Sequence, residues 1–251
     1  MIESRAEFAG APSLRLARGP GQAAEAVVLF PGFPGHAPAP DALHGPPKLR
    51  VAIAKVLLTT MDADAYLPGY PGLDAPGRFS FRGALDTGIE LGRRLASSGY
   101  RRVHFVGHSW GAFVAFNAHR EIGSNAGKLA LLSGVLDFPD EAAVRRFLPY
   151  YLTHFPEVLG AGAEAFERTV RDLDGARLAR NPLTLVSVMS AGSLLLVHGR
   201  RDTEVDVSVS RRFHERAGGR FVELDADHGF VGRLPEVCAT AADFFTTSDE
   251  I

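Results

Sequence analysis

Short apolar runs alternate along the chain with longer segments in which apolar residues recur at helical spacing. The predicted strands cover residues 13–19, 25–30, 62–66, 101–107, 128–138, 192–199 and 220–226. The predicted helices cover residues 48–60, 81–100, 111–123, 210–219 and 234–245. Such an alternation is typical of the α/β class, in which helices flank a mostly parallel sheet.

The alternation is interrupted between residues 139 and 191. This segment has helical pieces, no convincing strand, and prolines at positions 149, 156 and 182. We therefore expect a helical cap at 139–191, inserted before the strand at 192–199. Since 251 residues suit one undivided α/β fold, the whole chain, 1–251, is predicted to form a single domain that carries this cap.

Composition and charge narrow the class of protein. Hydrophobic residues make up 46% and charged residues 22%, as in ordinary globular proteins, and the formal net charge of −2 argues against a nucleic-acid partner. No apolar run is long enough for a membrane span, and the N-terminal residues lack the apolar core of a signal peptide. The single cysteine, Cys238, fits a reducing compartment, so a cytoplasmic protein is expected.

The segment Gly107-His108-Ser109-Trp110-Gly111 lies where a predicted strand gives way to a predicted helix. A serine on so tight a turn is driven toward positive φ, and its side chain then projects above the sheet. The glycines two residues before and after it let the turn close, because neither adds a side chain. The following helix directs its N-terminal amides at the same place, which suits an oxyanion. Ser109 is therefore predicted to be a nucleophile.

A serine nucleophile needs a base, usually a histidine that a carboxylate orients. In folds with this turn, the acid and then the histidine follow the serine along the chain. Among the histidines beyond the cap, His228 directly follows a predicted strand, at the edge of the sheet where the serine also lies. Because His198 lies inside an apolar strand and His214 within a helix, His228 is the predicted base.

Two aspartates compete for the role of the acid. Asp202 follows the strand 192–199, whose carboxyl end lies at the same edge of the sheet, and Asp137 lies near the end of the strand 128–138. Asp202 is the predicted acid, because its strand is nearer in sequence to the histidine loop. Asp206, deeper in the same loop, is interpreted as a solvated residue or a helix cap.

An oxyanion site needs a backbone amide from a second loop. Residues 29–36 follow a buried strand and are rich in glycine and proline, so their backbone can approach a ligand closely. The amides of Phe33 and Trp110 are the candidate oxyanion donors. The alternative interpretation of this loop is a tight turn without a ligand.

The cap segment 144–155 carries more aromatic surface than a short helix needs for packing on one side. Phe147, Tyr150 and Tyr151 are therefore candidate pocket residues, which would line an apolar site for a small molecule. The alternative is that these rings attach the cap to the core. Arg145 and Arg146 beside them would either attract an anionic substrate tail or remain solvated.

Taken together, these segments resemble the α/β-hydrolase family. "VVLFPGFPG" is similar to its oxyanion loop, "VGHSWGA" to its nucleophile elbow, "LLLVHGRRDTEV" to its acid-bearing strand and turn, and "LDADHGF" to its histidine loop. The likeness implies Ser109 as nucleophile, Asp202 as acid and His228 as base. The chain departs from the family at Pro31, where many members have a histidine.

The resemblance implies hydrolysis or transfer of an acyl group without a cofactor, and the sequence contains no metal-binding motif. We expect a serine esterase that acts on a small-molecule acyl substrate. The alternatives are a thioesterase, whose partner would be an acyl carrier, and a ligand-binding protein that keeps the three residues and turns over poorly. Because one scaffold serves many chemistries, the substrate itself stays open.

Overall fold

A sheet of eight strands runs through the part of the molecule that the computed structural model describes, residues 1–8, 10–38, 48–190 and 192–247. Its strands are β1 (Ile2–Phe8), β2 (Ala11–Ala17), β3 (Glu25–Phe30), β4 (Ala63–Pro68), β5 (Arg102–His108), β6 (Ala126–Leu132), β7 (Leu194–Gly199) and β8 (Arg220–Leu224). Their order across the sheet is β1-β2-β4-β3-β5-β6-β7-β8. β2 runs antiparallel to β1 and β4, and the other neighbours are parallel, so the predicted fold class is confirmed.

Helices cover both faces of this sheet. They are α1 (Leu49–Thr60), α2 (Phe81–Ser97), α3 (Trp110–Glu121), α4 (Glu141–His154), α5 (Pro156–Leu159), α6 (Gly162–Arg180), α7 (Pro182–Leu185), α8 (Val207–Ala217) and α9 (Leu234–Thr246). Within β3, Val27 packs in the apolar cluster with α1 and α9, whereas Val28 packs in the cluster with α2 and α3. Because both faces are buried, the central strands have continuous apolar sequences.

The strand prediction needs two corrections. β1 is absent from the prediction, although Glu3, Arg5 and Glu7 alternate with uncharged residues as in a half-exposed strand. The predicted strand 128–138 is wrong beyond Leu132, because Ser133 has a φ of 41° and turns the chain out of the sheet. The chain then packs against the start of α3, and the Val135 amide donates to the carbonyl of Ser109 at 3.1 Å.

Helices α4 to α7 lie between β6 and β7, where the helical cap is predicted. α4 begins after Asp140, whose side chain accepts a hydrogen bond from the Ala143 amide at 2.7 Å. The extent of the cap, 139–191, and the single domain, 1–251, stay predictions, and Ala191 lies outside the described residues. Among the helices of the described ranges, none is both long and apolar enough to cross a membrane, and the cytoplasmic location stays a prediction.

Candidate active site

The turn between β5 and α3 holds Ser109 in an unusual backbone conformation, with φ of 56° and ψ of −122°. A side chain on Gly107 would overlap the carbonyl of Gly111, at 2.2 Å from its first carbon. A side chain on Gly111 would overlap the carbonyls of Phe30 and Pro31, at 2.5 and 2.4 Å. Glycine is therefore required on both sides of the serine, which is the geometry that the G-x-S-x-G pattern predicts.

A hydrogen bond of 2.8 Å joins His228 Nδ1 to Asp202 Oδ2. Because an ionised carboxylate can only accept, the Nδ1 atom carries the proton, and in the neutral ring Nε2 is left with a lone pair. The loop after β8 and the loop after β7 supply the two residues, and both loops lie at the carboxyl edge of the sheet. The structure thus brings together the histidine and the aspartate that the sequence predicts.

The carboxylate of Asp202 is fully buried and accepts from several donors. Its Oδ1 atom accepts hydrogen bonds of 2.9 Å from the amides of Glu204 and Val205, and its Oδ2 atom also lies 3.2 Å from His198 Nε2. Burial opposes ionisation, but the hydrogen bonds from His198, His228 and Val205 outweigh it and hold the pKa of Asp202 well below its usual range. The acid is therefore ionised and fixed in place at neutral pH.

His198 contacts the Asp202 carboxylate through its Nε2 atom. Its ring is fully buried, with Nε2 at 2.8 Å from the Val205 carbonyl and Nδ1 at 2.7 Å from the hydroxyl of Ser210. Since Nε2 faces two acceptors, it carries the proton and donates. The sequence predicts His198 as a packed residue at a strand end, which it is, but not its contact with Asp202. The sequence signal for this contact is that His198 lies four residues before Asp202.

Asp137 lies away from His228. Its carboxylate accepts from Asn181 Nδ2 at 2.9 Å and lies 3.4 Å from an Arg212 guanidinium nitrogen. Its place follows from the turn at Ser133, which removes residues 133–138 from the strand. The alternative acid is thus bonded to the start of α7 and to α8, and Asp202 alone of the two contacts the imidazole.

The loop after β3 lies directly against the turn at Ser109. A side chain on Gly32 would have its first carbon 3.0 Å from Ser109 Cβ and 3.2 Å from His108 Nδ1. The amides of Phe33 and Trp110, the candidate oxyanion donors, donate to no protein acceptor within the described residues. Their role as oxyanion donors stays a prediction.

The side chains of Tyr70 and Arg50 fix the position of this loop through hydrogen bonds to backbone carbonyls. The Tyr70 hydroxyl donates to the Pro31 carbonyl at 2.7 Å. Arg50 donates to three carbonyls, those of Leu29, Pro68 and His36, at 3.1, 2.9 and 2.7 Å. Burial lowers the pKa of Arg50 to about 10, so this guanidinium remains charged at neutral pH. Neither residue was singled out from the sequence, because each acts on backbone atoms distant along the chain.

A cavity of about 280 Å³ opens above Ser109. It is lined by Gly32, Phe33, His108, Ser109, Tyr150, Tyr151, Phe155, Glu204 and His228. Two of the three candidate pocket residues, Tyr150 and Tyr151, lie on it. Phe147 lines a neighbouring cavity instead, and the Trp110 ring is buried in the core against Phe81 and Phe113.

Glu204 is the acidic residue of this lining that the sequence did not predict. Its Oε2 atom lies 3.8 Å from His228 Nε2 and 3.4 Å from the hydroxyl of Tyr151. No hydrogen bond joins Ser109 to His228 in the described part of the chain, although both line the same cavity. Such a bond is often long without a bound substrate and forms when the site is occupied.

His108, the neighbour of Ser109, is held neutral. Its Nε2 atom donates to the His228 carbonyl at 2.9 Å, and the two imidazole centres are 4.8 Å apart. Burial, together with the nearby His228, lowers the pKa of His108 to about 4. This hydrogen bond joins the residue before Ser109 to the loop that carries His228.

No group of His, Cys, Asp and Glu side chains suited to a metal ion occurs in the described residues.

No family model matches the chain, and no curated protein matches it in sequence. Solved structures match its fold. An esterase from Exiguobacterium antarcticum superposes with a TM-score of 0.64 at 16% identity, over 98% of this chain and 100% of the esterase. Est1E from Butyrivibrio proteoclasticus gives a TM-score of 0.64 at 14% identity, over 96% of each chain. An α/β serine hydrolase homologue from Coxiella burnetii gives 0.56 at 16% identity, over 96% of this chain and 95% of that one.

Proposed function

Since the chain has the α/β-hydrolase fold, as its resemblance to that family implied, we propose that it is a serine hydrolase that cleaves acyl esters of small to medium, mostly apolar substrates. The observation that carries the proposal is the hydrogen bond of 2.8 Å between His228 and Asp202 beside the strained Ser109. A serine with positive φ and an imidazole on one cavity, with a buried acid that orients the imidazole from outside the cavity, are the parts that nucleophilic acyl transfer needs.

In the proposed reaction, Ser109 Oγ attacks the ester carbonyl while its proton passes to His228 Nε2. The tetrahedral oxyanion accepts hydrogen bonds from the amides of Phe33 and Trp110. The bond to the leaving alcohol then breaks, and His228 returns the proton to that oxygen. Water, deprotonated by His228, releases the acid from the acyl-enzyme and restores the serine. Asp202 stays ionised throughout and stabilises the imidazolium.

The cavity supports a substrate of modest size. Its volume of about 280 Å³ is near the lower end for small-molecule sites, and four of its lining residues are aromatic. Est1E from Butyrivibrio proteoclasticus has also been solved with bound ferulic acid, an aromatic acid. Aromatic or medium-length acyl groups are therefore the first candidates for the acyl part of the substrate.

A fluorophosphonate probe tests the proposal, because only an activated serine reacts quickly with it. The wild-type protein should be labelled at Ser109 and should hydrolyse p-nitrophenyl butyrate. Ser109→Ala should lose labelling and lower kcat/KM by about 10⁴-fold or more, with an unchanged melting temperature, since the lost oxygen leaves no core cavity. Retention of a sizeable fraction of the activity by the alanine variant would contradict the assignment of the nucleophile.

Two further measurements separate the alternatives. Matched oxygen esters and thioesters of one acyl group, free and bound to an acyl carrier, distinguish an esterase from a thioesterase. A clearly higher kcat/KM for the carrier-bound thioester would assign the protein to the thioesterases and make the carrier its partner. Binding of ligands without labelling or turnover would instead indicate a ligand-binding member of the fold.

A further inference from the structure

The lining of the cavity above Ser109 is acidic. Glu204 lines it, and within the described residues no lysine or arginine does. The contacts of the Glu204 carboxylate are a phenol at 3.4 Å, from Tyr151, and the imidazole of His228 at 3.8 Å. Its side chain is 37% exposed, so it is accessible from the cavity. Because the pKa of His108 is lowered to about 4, that ring adds no positive charge at neutral pH.

Aromatic rings make up much of the rest of the lining. The centre of the Phe33 ring lies 5.6 Å from that of Tyr151 and 5.2 Å from that of Phe155, and both pairs are edge-to-face. Tyr150 packs edge-to-face on Tyr151 at 5.3 Å. Aromatic rings beside a carboxylate are a combination that binds quaternary ammonium groups, through the negative faces of the rings.

The position of Glu204 indicates which part of a bound ester its carboxylate would contact. In acyl transfer, the imidazole nitrogen that takes the serine proton later delivers it to the leaving oxygen. The leaving alcohol must therefore lie beside His228 Nε2, and Glu204 Oε2 is 3.8 Å from that atom. A cation in the leaving alcohol would reach this carboxylate, while the acyl group would lie on the other side of the scissile bond.

We propose that Glu204 and the two tyrosine rings of the lining, Tyr150 and Tyr151, form a subsite for a cationic leaving group, so that the preferred substrates are esters whose alcohol carries an ammonium group. This inference rests on the proposed ester hydrolysis and names its substrate class. Ion pairing and cation–π attraction in a partly desolvated pocket together predict a preference of roughly tenfold or more over an uncharged ester of the same shape.

Butyrylcholine and 3,3-dimethylbutyl butyrate are the matched substrates, because they differ only in the charged nitrogen and the carbon that replaces it. The quantity to measure is the ratio of their kcat/KM values. The wild-type ratio should be about ten or more, and Glu204→Gln should lower it at least about fivefold. Glu157→Gln is the control, because it removes an exposed carboxylate from α5 that does not line the cavity, and it should keep the wild-type ratio.

The possible outcomes separate this inference from the proposed function. Hydrolysis of both esters with a ratio near one, by a protein whose Ser109 reacts with the probe in a separate experiment, would overturn the subsite and leave the proposed ester hydrolysis standing. An equal loss on both esters in Glu204→Gln would also overturn it, since Glu204 would then act on His228 and not on the substrate. A ratio that falls equally in Glu157→Gln would assign the preference to the overall charge of the protein. Failure of labelling and of both esters would overturn the proposed function and the subsite with it.

Discussion

The two sides of the cavity above Ser109 are built in different ways. On the sheet side, the positions of Asp202, His228 and the loop after β3 are fixed by hydrogen bonds of 2.7 to 3.1 Å. On the helix side, Tyr150, Tyr151 and Phe155 of the inserted segment are held mainly by ring contacts, and within the described residues the Tyr151 hydroxyl makes one hydrogen bond, at 3.4 Å.

This difference indicates a division of roles. Hydrogen bonds are directional and hold atoms to a fraction of an ångström, which acyl transfer requires. Apolar contacts are much less directional and tolerate a change in the volume of what they surround. We therefore expect substitutions on the sheet side to change kcat, and substitutions on the helix side to change the choice of substrate and KM.

The largest difference in kcat is expected on the sheet side, between variants of the two candidate acids. Asp202→Asn should lower kcat by about 10³- to 10⁴-fold, because an amide cannot stabilise the imidazolium and favours the wrong tautomer. Asp137→Asn should change kcat less than about tenfold, since Asp137 bonds Asn181 and Arg212 and not His228. Steady-state kinetics on one ester measures both variants. A greater loss at Asp137 would reverse the assignment of the acid.

A smaller effect is expected from Tyr70→Phe, behind the oxyanion loop. The change leaves the buried Pro31 carbonyl without its donor and should cost about 1–3 kcal/mol of unfolding free energy. The loop that carries the Phe33 amide should shift, lowering kcat by about tenfold with little change in KM. Tyr151→Phe is the matched change on the helix side, and its kcat should stay within a factor of about two. Equal losses of kcat would remove the distinction between the two sides.

The helix side is tested by the length of the acyl chain. In a series of esters from acetyl to decanoyl, kcat/KM should rise about threefold for each added CH₂ until the cavity of about 280 Å³ is filled. Phe155→Ala should move the optimum to longer chains, because it enlarges the cavity. A steep preference for acetyl over every longer chain would mean that the inserted helices close the pocket, contrary to the proposed function.

The smallest expected effect is on stability as a function of pH. The folded pKa of His108 is about 4 against 6.5 for the free side chain, so between these values the unfolded chain binds the extra proton. The contribution of His108 to the free energy of unfolding is therefore fully present above pH 6.5 and is lost as the pH falls toward 4. The free energy of unfolding, measured with urea at several pH values between 4.5 and 7, should change less with pH for His108→Gln than for the wild type. The same pH dependence in both proteins would mean that His108 is not held neutral by the fold.

The turn at Ser109 was predictable because its constraint is local. The two glycines around Ser109 are needed for the backbone of one turn, and the flanking strand and helix have patterns of their own. The positions of His228 and Asp202 at the sheet edge followed from the rule that parallel strands end together. For these residues, sequence order and secondary structure already determine which edge of the sheet they share.

Other features depend on contacts between distant segments, and no local pattern predicts them. The turn at Ser133 arises because residues 133–136 pack on the start of α3, and it is this turn that separates Asp137 from His228. Glu204 reaches the cavity only because the loop after β7 folds around the Asp202 carboxylate. The segment around it, residues 200–206, is rich in charged residues, so Glu204 resembles any solvated glutamate of a loop.

The arrangement of Arg50 has an electrostatic consequence for the whole site. Its three acceptors are neutral carbonyls, so its positive charge is cancelled by no carboxylate among the described residues. The field of this charge extends to the cavity, since it contributes to lowering the pKa of His108. It would also favour negative charge on an oxygen bound at the loop in front of it. Because the guanidinium is partly buried, added salt should weaken this attraction less than it weakens interactions between charges at the protein surface.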